Sequence, residues 1–128
     1  MPDQFTMSGD FRGAFINIKS TLTNVQQAIG DISTDDMDTR MELEKLVGQL
    51  NDALQKVPVE KQEEAEAVAQ TAKALIDAAK AEKPNQTLLQ ITGDGLKKAA
   101  QELVKATPVV LHVASQIVMS VMKLVEPK

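Results

Sequence analysis

The sequence predicts an all-α fold: an antiparallel bundle of four to five helices, with a C-terminal helix over residues 108–125 near its centre. Three observations point that way. Apolar residues recur at steps of three and four along most of the chain, which is the period of one helix face. The 43% apolar share is carried mainly by Ala, Leu, Val and Met, with no Trp or Tyr and three Phe, a composition that favours helices over sheets. Proline and glycine fall between the periodic runs, so the connections are short and consecutive helices lie antiparallel. A chain of 128 residues is one domain's worth and buries roughly two-thirds of its unfolded surface without staples.

Residues 1–10 read as an N-terminal arm, because Pro2, Ser8 and Gly9 interrupt regular structure; the bundle domain then spans 11–126. The first helix follows Asp10 as cap. Its apolar residues Phe11, Phe15, Ile18, Leu22, Val25, Ile29 and Ile32 form a heptad seam. Gly13 and the β-prone residues 15–18 leave room for a short strand within residues 1–18. Gly30 reads as the C-cap. Ser33 or Thr34 caps the second helix, and Asp35, Asp36 and Asp38 crowd its positive end. Its inward face is Met37, Met41, Leu43, Leu46, Val47, Leu50, Leu54 and Val57. Arg40 with Glu44 and Asp52 with Lys56 are spaced as i,i+4 pairs on its wet side. Pro58 ends it and begins the next.

The third helix runs over residues 59–81, with Glu60, Glu63, Glu64 and Glu66 early and Lys80 and Lys83 late, matching the macrodipole. Its seam of Ala65, Val68, Ala72, Leu75 and Ala79 lets a neighbouring backbone come close. Pro84 stops it. A fourth segment starts near Asn85 and breaks at Gly93-Asp94-Gly95, where Asp94 caps a continuation over residues 96–106 and the glycines offer a hinge. Thr107 caps the last helix and Pro108 occupies its first turn.

That last helix has one charged residue, Lys123. His112, Gln116, Ser120 and Lys123, with Ser115, gather into a narrow polar stripe, and apolar residues cover the rest of its circumference. Such a helix is either a bundle's core helix or membrane-active. Eighteen residues at ~1.5 Å each give roughly 27 Å, close to the apolar thickness of a bilayer. The polar stripe is costly in lipid, and the other helices need an apolar partner, so the core reading is preferred.

The function classes narrow by composition. A net charge of −4 and the lack of Trp and Tyr disfavour nucleic acid, which wants clustered cations and stacking surfaces. No cysteine and one histidine leave no thiolate or zinc site. Asp31, Ser33, Asp35 and Glu42 match four calcium-loop positions, but the turn glycine is replaced by Asp36, and an acidic cap cluster explains the same residues. His112 has no nucleophile or carboxylate beside it in sequence. The N-terminus lacks the basic start and apolar run of a secretory signal. The expectation is therefore a cytoplasmic, non-catalytic protein with no cofactor and no metal, which binds a protein partner or itself. The expected interaction surfaces are Phe11, Phe15, Ile18, Leu22, Val25 and Ile29 on the first helix and the alanine seam of the third. The alternative is a membrane-active protein that inserts its last helix.

Residues 9–22, GDFRGAFINIKSTL, and residues 91–100, ITGDGLKKAA, resemble a small helical module of bacterial, notably cyanobacterial, proteins. Such modules stand alone or beside signalling and effector domains. The resemblance implies a bacterial helical protein and assigns no activity, cofactor or functional residue.

Overall fold

The structure, a computed structural model, describes residues 2–32 and 34–125, with the backbone alone for residues 2–12 and 14. The chain is all-α, as its periodicity predicts. It comprises α1 (Pro2–Ile29), α2 (Met37–Gln55), α3 (Gln62–Ala79), α4 (Gln86–Gln101) and α5 (Pro108–Leu124), with a 3-10 turn at Val59–Lys61 leading into α3. No strand occurs among the described residues, and residues 15–18 are helical.

The helices pack in a closed ring. α1 lies against α2 and α3, α3 against α4, α4 against α5, and α5 against α2. Short connections reverse the chain at each step. Gln26 Nε2 donates to the Glu44 carbonyl at 2.9 Å, and Gln55 Nε2 donates to the Phe15 carbonyl at 3.0 Å, which fixes the antiparallel register of α1 and α2. Gln86 Nε2 donates to the Val125 carbonyl at 3.4 Å, which does the same for α4 and α5. An odd ring cannot alternate direction throughout, so one adjacent pair runs parallel. That pair is α1 and α3, because α1 stands between α2 and α3.

Both seam helices fill the interior. Ile18, Leu22, Leu43, Leu50, Leu54, Leu75, Ile76, Leu89, Leu96, Leu103 and Ile117 are fully buried. The alanine seam of α3 packs as its composition implies, with Ala65, Ala69 and Ala72 buried beside Val68. α5 turns Val110, Val113, Ala114, Ile117, Val118 and Val121 inward and forms one wall of the ring, leaving its polar stripe outside.

Five local readings of the sequence are corrected. α1 begins at Pro2 and not after Asp10, so residues 2–10 continue the helix. Since α2 ends beside Phe15, the first thirteen residues of α1 run on ~20 Å past the end of α2 at 1.5 Å per residue. The cap of α2 is Asp36. Its carboxylate accepts from the Thr39 amide at 3.0 Å and from the Thr39 hydroxyl at 2.7 Å. Thr34 instead accepts from the Asp36 amide at 3.1 Å, and Ser33 lies outside the described residues. Met37 and Met41, expected on the inward face of α2, lie on the side away from Leu43, Leu46 and Leu50 and are exposed.

Arg40, expected to pair with Glu44, turns the other way. Its guanidinium donates to the carbonyls of Gly30 at 3.2 Å and Ile32 at 3.3 Å, just past the C-terminus of α1. That helix has no basic residue in its own last turn, so a cation from the next helix meets its negative end. Finally, α4 runs unbroken through Gly93-Asp94-Gly95, capped at Asn85 by a side-chain bond from the Leu88 amide at 3.0 Å. Gly93 is buried against α5. A Cβ there would sit 3.1 Å from Val118 Cγ1, so the glycine serves close helix packing and not a hinge.

Candidate functional site

Both expected interaction surfaces lie inside the molecule. Ile18, Leu22, Val25 and Ile29 are buried, and Phe15 is half-buried against the same core. The side chain of Phe11 lies outside the described residues. The seam faces inward because α1 is flanked by both α2 and α3, and packing two neighbours uses up its apolar stripe. The seam is therefore core.

The polar stripe does stand on one outer side of α5. His112 and Lys123 are exposed, and Gln116 and Ser120 are half-buried. Gln116 Nε2 lies 3.2 Å from His112 Nε2, a contact along one turn of the helix. An amide neither takes nor gives up a proton at neutral pH, so this pair orients the ring without activating it. Apolar residues are interleaved with the stripe: Val109 is 50% exposed and Met119 70%. Met119 is the most exposed of the large apolar side chains among the described residues, ahead of Met41 at 64% and Ile91 at 62%.

Two clefts flank this side of α5. The cleft shared with α4 has a volume of about 670 Å³. Gln86, Gln90, Asp94 and Lys97 form one wall, at helical spacing; Val118, Met119, Met122 and Lys123 form the other. Gly93 sets its depth, since the missing side chain lets α5 close on α4 at Val118. The cleft shared with α2, about 610 Å³, is lined by Met41, Glu42, Lys45, Leu46, Gln49 and Gln116. Met41, Met119 and Met122 thus line the two clefts, and methionine adapts its three torsions to whatever packs on it.

The cleft residues were missed from sequence because Met119 and Met122 read as continuous with the apolar circumference of α5. A signal existed. Gln86, Gln90, Asp94 and Lys97 recur at steps of four and three, the mark of one polar helix face.

Charge is unevenly placed on this frame. Residues 1–83 hold nine basic and fifteen acidic side chains; residues 84–128 hold five and three. The last third of the chain, which builds α4 and α5, is the basic part. Among the described residues the ion pairs are on α3 and its approach: Lys61 to Glu64 at 3.7 Å, and Asp77 with Lys73 at 3.1 Å and with Lys80 at 3.7 Å. All are solvent-exposed helix pairs worth little each.

No family model, curated protein or solved structure matches the chain. Among the described residues, no helix is long and apolar enough to cross a membrane.

Proposed function

We propose that the chain is a non-catalytic protein-interaction module that uses the outer side of α5 and its two flanking clefts. The observation that carries this reading is Met119. It is 70% exposed on a helix whose inner face is fully packed, between a polar stripe and a cleft. Apolar anchors ringed by polar groups are what a protein interface buries first. The helices supply a rigid frame, the methionines supply fit, and the stripe of His112, Gln116, Ser120 and Lys123 supplies orienting hydrogen bonds.

Photo-crosslinking tests this. A photoreactive residue replacing Met119 should give a discrete protein adduct in cells, while the same residue replacing exposed Ala81, in the α3 to α4 connection, should not. Equal, diffuse labelling at both positions would remove α5 as an interface.

A further inference from the structure

We infer that the cleft between α4 and α5 receives the outer face of α3 from a second copy of this chain, joining molecules head to tail. The inference rests on the interaction-module reading and names its partner. Lys97 stands on one wall of the cleft and Lys123 on the other, against the single carboxylate of Asp94. Residues 59–80, the approach to α3 and its body, carry five carboxylates against three cations. On the approach to α3, Glu60 and Glu63 are exposed beside Val59, which is itself 40% exposed. Further along, the outer face of α3 is slim, with Ala67, Gln70 and Ala74 exposed. Small side chains let a helix approach a groove closely, toward the lower end of the 8–10 Å range of packed axes.

Gln86 to Lys97 covers ~16 Å of cleft at 1.5 Å per residue, and α3 is long enough to span it. Met119 and Met122 supply an adaptable apolar wall for the alanines. The two complementary faces lie on different helices, so the contact is heterologous: each copy offers a cleft and an acidic face, and association does not stop at two.

Light scattering on a sizing column is the test, at concentrations up to about 1 mM, the range for a small interface. Average mass should climb above 13.9 kDa with concentration, and should fall back in about 0.5 M salt, where the Debye length is only a few ångströms. Lys97→Gln with Lys123→Gln, and separately Glu60→Gln with Glu63→Gln, should each hold the chain at monomer mass with unchanged circular dichroism. An equimolar mixture of the two variants should form 1:1 dimers and nothing larger, because one keeps the α3 face and the other keeps the cleft. A wild-type chain that stays monomeric throughout overturns the inference, and so does a mixture that forms no dimer. If the wild type is monomeric while a crosslinker at position 119 captures a different protein, the interaction-module reading survives without this partner. If neither occurs, both fall.

Discussion

Two glycines two residues apart in α4 make opposite predictions. At Gly93 an added Cβ would press to 3.1 Å of Val118; at Gly95 it would meet Thr71 Cγ2 at 3.8 Å, an ordinary contact. Alanine in a helix interior gains about 1 kcal/mol over glycine, while overpacking a closed contact costs about 1–3 kcal/mol. Gly95→Ala should therefore stabilise the chain by up to about 1 kcal/mol, and Gly93→Ala should destabilise it by about 1 kcal/mol net, both read from urea midpoints. Asp36→Ala removes both bonds to Thr39 at the start of α2 and should cost about 1 kcal/mol. These residue-scale features were only partly legible. Asn85 and Pro108 announced their helix starts by type. The Gly93-Asp94-Gly95 stretch reads as a break in any single sequence, because the reason for Gly93 is a valine on another helix.

At the scale of elements, helix number and most boundaries followed from periodicity and proline placement; α4 is the exception, running through the expected break and ending at Gln101 where the sequence predicts a continuation to residue 106. Direction of facing was harder. Met37 and Met41 read with the inward stripe of α2, yet both are half or more exposed. At 100° per residue they fall on the side of the helix away from Leu43, Leu46 and Leu50. The seam of α1 was correctly apolar and wrongly assigned to a surface, since a heptad pattern reports burial without saying whether the partner is the same chain. The projecting part of α1 gives a prediction at this scale. Its start lies beyond the level at which α2 ends, and an added Cβ at Gly13 meets nothing within 4 Å. Deleting residues 1–12 should leave the unfolding midpoint within about 0.5 kcal/mol of wild type, as for changes away from packed features. By contrast Leu50→Ala, in the core of α2, should cost about 2–5 kcal/mol.

For the whole molecule, what sequence could not supply was the order of helices around the ring. Short connections imply hairpins for α1–α2, α3–α4 and α4–α5, but α2 and α3 are consecutive and not packed side by side, because α1 occupies the place between them. Only the tertiary arrangement shows that α5 closes the ring on α2. That closure also bears on membranes. Freeing α5 would open two helix contacts and expose the apolar faces of α2 and α4 together. Mixed with anionic lipid vesicles at neutral pH, the folded chain should release no trapped dye, and a dose-dependent leak would revive insertion.

Five helices that alternate up and down carry a polarity that four would cancel. α1 starts at one pole of the barrel and α5 finishes at the other, with α1 projecting further outward at its own end. The separation is on the order of 40 Å, set by the 28 residues of α1 at about 1.5 Å each. Anything tethered before α1 and anything tethered after α5 is held apart along one axis, as by a strut. A donor fluorophore at one end and an acceptor at the other would report that spacing directly, and would lose it on unfolding.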